Sequence, residues 1–184
     1  ISKGTGTLKS SIMENGRECL IQSNGNTTAL ILRINEQGEI IYTRCLDNYV
    51  SGNTVTSTPT LHNGFYIIGV YIHGKHVFTE EETVDSEEIV LQFGNGYSGY
   101  VIKYNEENKI EWARLFPDSL YPGTDFIATL TNNDGSILIA DKYNVRMLND
   151  NGEFEYVGNS DISYRDAVRD DNNITMVGFI SKNS

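Results

Sequence analysis

Short apolar runs recur along the chain, and clusters of Asn, Asp, Glu and Gly separate them. Residues 29–46 read "ALILRINEQGEIIYTRCL" and residues 99–116 read "GYVIKYNEENKIEWARLF". Laid over each other at an offset of 70, Arg33 falls on Lys103, Asn35 on Asn105, Glu36 on Glu106, Ile40 on Ile110, Tyr42 on Trp112 and Arg44 on Arg114. A weaker copy, "NVRMLNDNGEFEYVGN" (144–159), places Gly152 over Asn108 and Gly38, and Tyr156 over Trp112 and Tyr42. Each copy is two β-rich runs around "NEQG", "NEEN" or "NDNG". Gly and Asn in the last turn position accept a left-handed backbone, as a type I turn with a bulge requires. The pattern predicts three hairpins with Gly38, Asn108 and Gly152 left-handed.

A second hairpin precedes each of these: "SSIMENGRECLIQS" (10–23), "STPTLHNGFYIIGVYI" (57–72) and "FIATLTNNDGSILIADK" (126–142). A fourth, "AVRDDNNITMVGFIS" (167–181), starts the pattern again. The unit is thus four antiparallel strands, with no useful stretch of helical period. Residues 75–97 have no counterpart in the other copies; without them the spacing falls close to the 44 residues of the next interval. Four strands repeating every ~40–50 residues predict β-propeller blades. The continuous apolar third strands, "LILRI" and "YVIKY", predict cover on both faces by neighbouring blades. The expected fold is all-β, a propeller-like array of about three and a half blades. The units span about 9–46, 55–116 with a long loop at 73–98, 126–158, and a half unit at 165–181 of one partial propeller over 1–184.

The stretch "GYVIKYNEENKIEWARLF…DFIATLTNNDGSILIA" resembles the blades of bacterial repeat β-propellers, which carry a "K-Φ-(D/N)-x-x-G-x-Φ-x-W" segment followed by "T-x-D-G-G". "LQFGNGYSG" (91–99) is similar to a connection of the same blades. The second Gly of "D-G-G" is absent here. The resemblance implies the propeller fold and an extracellular or cell-surface setting, without implying any one activity.

Composition narrows the partners. The net charge of −11 excludes a phosphate-binding surface, so no nucleic acid is expected. It also disfavours an anionic membrane, and no apolar run is long enough to span one. With 39% hydrophobic and 10% aromatic residues, the chain can build a core. Its start, "ISKGTGTL", has neither methionine nor an apolar signal core, as expected of a processed form. Cys19 and Cys45, the two cysteines, fall on the second and fourth strands of the first unit, about 9–10 Å apart at strand spacing; free thiols are expected.

In a four-stranded blade, the first-to-second and third-to-fourth turns share one end, here all tight. The other end collects the long connections 46–53, 73–99, 117–125 and 159–166, where binding is expected. Tyr49, Tyr97, Tyr121 and Tyr164 have no repeat equivalents and are the candidate ligand contacts, with His76 and Asp125 beside them. His73 and His76 near Glu80, Glu81 and Glu82 lack the spacing and support of a zinc site, so they read as solvated loop residues. "NDNGE" (149–153) lacks the acidic series of a calcium loop and coincides with a repeated turn. Trp112 occupies a repeated packing position. Neither a metal nor a cofactor is expected, and no catalytic residue is assigned, since nucleophile motifs are absent.

The sequence therefore points to a non-enzymatic binding module of a secreted or surface protein, engaging protein or glycan. One alternative is part of a carbohydrate-active hydrolase or lyase, with catalytic groups elsewhere. Another is a structural subunit that completes its ring with a second chain. A half blade exposes apolar area worth several kcal/mol at ~25 cal/mol per Å². The last strand, 174–180, is expected to pair along its outer edge with a strand from elsewhere, from another chain in preference to the N-terminal "TGTLKS".

Overall fold

The computed structural model describes residues 6–8, 19–21, 29–46, 56–60, 64–71, 74–94, 98–116, 126–142, 144–159, 162–169 and 174–180. The chain divides into two compact units, Ile1–Gly52 and Asn53–Ser184. The first holds β1 (Gly6–Leu8), β2 (Cys19–Ile21), β3 (Ala29–Ile34) and β4 (Ile40–Leu46). The second holds β5 (Thr56–Pro59), β6 (Phe65–Tyr71), β7 (Gly74–Phe78), β8 (Ile89–Phe93), β9 (Ser98–Tyr104) and β10 (Ile110–Leu115). It continues with β11 (Phe126–Thr131), β12 (Ile137–Asp141), β13 (Asn144–Leu148), β14 (Phe154–Asn159), β15 (Ile162–Arg169) and β16 (Ile174–Ile180).

The fold is all-β and propeller-like. In the second unit, β5, β6, β9 and β10 form one four-stranded antiparallel sheet in chain order, and β11 to β14 form the next. The first strands are neighbours: Thr131 Oγ1 donates to the Pro59 carbonyl at 2.7 Å, and Thr58 Oγ1 to that of Thr129 at 3.5 Å. Strand β15 in turn packs against β11 and β12. Successive sheets thus meet through their innermost strands, the radial arrangement of blades.

Tyr66, Ile68, Val101, Trp112, Phe116, Ile137, Ile139 and Leu148 form the core between the two complete sheets, with Phe154 packed against it. The spacing of Tyr66 and Ile68 on β6, and of Ile137 and Ile139 on β12, follows from the two-residue period of a strand. A buried ion pair lies at the same seam. Arg146 donates to Asp141 Oδ2 at 2.8 Å, both fully buried, and the Arg146 guanidinium lies 4.5 Å from the centre of the Phe116 ring. Asn144 completes the arrangement, its side-chain amide donating to both Asp141 oxygens.

The turns follow the local code. The backbone NH of Gly38, Asn108 and Gly152 donates to the carbonyl of Asn35, Asn105 and Asn149 respectively. All three residues have positive φ, at 83°, 64° and 78°. The asparagine opening each turn accepts, through Oδ1, the amide of the residue four positions on.

Two expectations need correction. Residues 73–98 are not one open loop: β7 and β8 pair from Gly74↔Phe93 to Phe78↔Ile89, and a 3-10 turn over Glu80–Glu82 lies between them. This hairpin buries Phe78, Leu91 and Phe93, and the Val84 amide donates to the Ile110 carbonyl, so the insertion covers the outer edge of its sheet. In the first unit, β1 pairs with β2 and β3 with β4 among the described residues. "LILRI" is not covered on both faces: Leu32 is 41% and Ile34 56% exposed. At the N-terminus, Gly6–Leu8 pairs with Cys19–Ile21. The side chains of Cys19 and Cys45 lie outside the described residues, so the thiol expectation stays with the sequence.

Candidate functional site

The best-defined polar arrangement is a cradle on the first complete sheet that holds a turn of the second. Lys103 on β9 and Glu111, Trp112 and Arg114 on β10 share it, because Lys103 lies directly across from Trp112 in the ladder. The turn it holds is Asn149–Gly152. Trp112 Nε1 donates to the Asp150 carbonyl at 2.9 Å, and Lys103 Nζ reaches the same carbonyl at 3.2 Å and Asp150 Oδ1 at 2.7 Å. Arg114 donates from Nε to the Gly152 carbonyl at 3.1 Å and from Nη2 to that of Asn151 at 3.4 Å. Three successive carbonyls are therefore read by fixed donors, and one carboxylate is paired. Nearby, Tyr66 donates its hydroxyl to the Gly135 carbonyl in the first-to-second turn of the same sheet, at 3.0 Å.

The electrostatics favour this state. Burial pulls the Lys103 ammonium down, but hydrogen bonds and charge from Asp150 and Glu111 outweigh it and leave its pKa above the ordinary 10.5. Glu111 Oε2 lies 2.8 Å from Lys103 Nζ. Burial, then the negative charges of Asp150 and Glu111, hold the Tyr66 phenol well above its ordinary 10.0. The cradle demands a glycine as well. A Cβ on Gly152 would lie 2.6 Å from the Trp112 ring, besides sitting on a left-handed backbone.

The equivalent cradle on the second sheet is open. Tyr156, the repeat partner of Trp112, is 54% exposed, whereas Trp112 is 6% exposed. Met147, across from Tyr156 in the ladder, stands where Lys103 stands.

Of the six residues expected from sequence to contact ligand, only His76 is described with its side chain. It lies on β7 rather than in a loop, half-buried, with its ring edge-on to Phe78 at 4.4 Å. Tyr164 lies on β15, across from Gly178, but its side chain is outside the described residues. Tyr49, Tyr97, Tyr121 and Asp125 lie outside them altogether. Sequence reading correctly placed Trp112 as a packing residue but missed the cradle around it. The paired repetition of Lys103/Arg33 with Trp112/Tyr42 was its one visible signal. Among the described residues, no three His, Cys, Asp or Glu side chains are grouped to hold a metal, and no helix is long and apolar enough to cross a membrane.

No protein-family model matches the sequence, and no curated protein matches it. Among solved structures, the chain is similar to the crystal structure of BBS1N in complex with ARL6DN. The identity is 15% and the TM-score 0.35, over 95% of this chain and 61% of that one. It is also similar to a protein of unknown function from Bacteroides caccae, at 14% identity and a TM-score of 0.31, over 79% of this chain and 62% of that one. The chain spans less than two thirds of the length of either.

Proposed function

We propose that this chain is a non-enzymatic binding module, of the bacterial repeat-propeller kind, from a secreted or cell-surface protein. It engages a protein or glycan through the end that carries the long connections. One observation carries this reading: two tight turns of the second complete sheet are already taken up by the protein itself. The turns at Asn149–Gly152 and Gly135 are spent on the neighbouring sheet, through Trp112, Lys103, Arg114 and Tyr66. That turns the search for a partner to the long connections, which carry Tyr49, Tyr97, Tyr121 and Asp125 in the sequence, and to Tyr164 on β15. Tyrosines serve such surfaces because they combine apolar area with a hydroxyl at small entropic cost. Binding to immobilised glycans and to surface proteins is the test. Alanine at Tyr121 and Tyr164 together is expected to weaken capture at least tenfold with unchanged thermal stability; unchanged capture would refute the assignment.

A second reading, that the chain is also a structural subunit completing a ring with another chain, is favoured by the β15–β16 pair. Among the described residues these strands form a two-stranded sheet, where the two preceding sheets have four. Such a pair is marginal without further strands.

A further inference from the structure

The three repeated turns share a backbone but differ in chemistry. The residue before the left-handed position is Gln37, Glu107 and Asn151 in turn, followed by Gly38, Asn108 and Gly152. An asparagine followed by glycine is a self-reactive pair. The glycine backbone nitrogen attacks the side-chain Cγ, ammonia leaves, and a five-membered succinimide closes. Water then opens the ring at either carbonyl. One product is aspartate; the other is isoaspartate, with the main chain rerouted through Cβ and Cγ. Glutamine would have to close a six-membered ring, which is far slower, and glycine favours the attack because no side chain obstructs it. Asn151 is exposed, so water and base reach its amide.

The docked turn holds this pair in an unreactive shape. The Gly152 amide donates to the Asn149 carbonyl at 2.9 Å, closing a four-residue turn with Asn151 in third position. Among the described non-glycine residues only Ser86 and Asn108 have positive φ, so Asp150 and Asn151 do not. That excludes types II, I′ and II′ and leaves type I for a turn closed by this bond; its third residue has ψ of about 0°. At that angle the Gly152 nitrogen lies beside the nitrogen of Asn151 and away from its Cβ, out of reach of Cγ. The Asn151 amide is itself engaged with Asn149 Oδ1 at 3.1 Å. Attack therefore requires rotation about the Asn151 Cα–C bond, which swings the Asn151 carbonyl and the Gly152 amide out of place.

The cradle opposes that rotation. Arg114 holds the carbonyls of Asn151 and Gly152, and Trp112 Nε1 holds that of Asp150. Lys103 secures Asp150 through both its carbonyl and its carboxylate. The Trp112 ring lies so close to Gly152 that a Cβ there would stand 2.6 Å from it. Asn151 can cyclise only in molecules whose turn has left the first complete sheet. Isoaspartate cannot return to the seat. It adds one main-chain carbon before Gly152 and turns the former Asn151 carbonyl into a free carboxylate, so the carbonyls no longer match Trp112, Lys103 and Arg114.

We propose that Asn151–Gly152 is a self-modifying site gated by the cradle. It cyclises when the seam between the two complete sheets opens, and the isoaspartate formed keeps that seam from closing again. The net step consumes one water and releases one ammonia, with no change of oxidation state. A reversible opening thereby becomes a permanent one. The proposal is independent of what the long connections bind.

Peptide mapping by mass spectrometry, after incubation of the 184-residue chain in mildly alkaline buffer, follows conversion of amide to acid at Asn151. A synthetic peptide of residues 146–155 gives the rate of the undocked turn. Where opening and closing outpace cyclisation, the folded rate is the peptide rate multiplied by the open fraction. Each hydrogen bond given up on opening lowers that fraction about fivefold, so the bonds from Trp112, Lys103 and Arg114 predict roughly hundredfold protection or more. Trp112→Ala should raise the folded rate about tenfold or more, and Arg114→Ala about threefold to tenfold. In Arg114→Ala the acceleration should be confined to Asn151, leaving the Asn-Gly pairs at Asn15, Asn24, Asn63 and Asn95 at their wild-type rates. The isolated isoaspartate product should show red-shifted emission from Trp112, the sole tryptophan and only 6% exposed in the docked state. Asn151→Ser should neither react nor shift the emission. Cyclisation of the wild type at the peptide's rate, equal rates in wild type, Trp112→Ala and Arg114→Ala, acceleration of all five pairs together in Arg114→Ala, or an isoaspartate product with wild-type emission would each overturn the proposal.

Discussion

Gly152→Ala tests whether the cradle is a packed joint or a set of incidental contacts. Two separate costs meet at this position. A Cβ on a backbone at φ of 78° costs about 1–2 kcal/mol wherever it occurs. The same Cβ would lie 2.6, 2.8 and 2.9 Å from three atoms of the Trp112 ring, so the ring must move. Displacing it strains the seam by about 1–3 kcal/mol and lengthens the Trp112 Nε1 bond to the Asp150 carbonyl, worth about 1 kcal/mol. The wild-type background should therefore lose about 3–6 kcal/mol, by the sum of those ranges. In a Trp112→Ala background only the backbone cost remains, about 1–2 kcal/mol. Urea denaturation of the four proteins in this cycle, followed by circular dichroism because Trp112 is the sole tryptophan, measures the coupling directly. A coupling below about 0.5 kcal/mol, within ordinary additivity, would refute the packed joint.

Alkaline pH should destabilise the fold. The Tyr66 phenol and the Lys103 ammonium both have folded pKa values above their unfolded 10.0 and 10.5, so their contributions are full below about pH 10 and fade as pH rises through the folded values. Denaturation midpoints should fall above that pH, and Tyr66→Phe should flatten part of the fall; a steeper fall in Tyr66→Phe would contradict the assignment. Asp141→Asn removes the carboxylate bonded to the fully buried Arg146 and should cost about 3–5 kcal/mol, while Asp141→Asn combined with Arg146→Met should recover most of it. Equal losses in single and double variants would show that the charge is not what matters. Phe78→Ala should loosen the β7–β8 insertion, with faster amide exchange across residues 74–93 and little change in β11–β14.

The turns were legible in the sequence because their causes are local. Asn35, Asn105 and Asn149 bond within four residues, and Gly38, Asn108 and Gly152 accept a left-handed backbone whatever surrounds them. Strand order followed from those turns, since a tight hairpin can only join antiparallel neighbours. The β7–β8 hairpin was hidden because a 3-10 turn and an acidic run, rather than a short Asn-Gly turn, connect its strands. The candidate ligand contacts stood out only as tyrosines without repeat equivalents, a signal of composition that carries no distances. Burial was beyond the sequence for a different reason. Trp112 and Tyr156 occupy the same repeat position, as do Ile102 and Leu32, yet one of each pair is buried and the other open. A side chain's own strand sets which face it takes; only the presence of a neighbouring sheet, many residues away, decides whether that face meets protein or water.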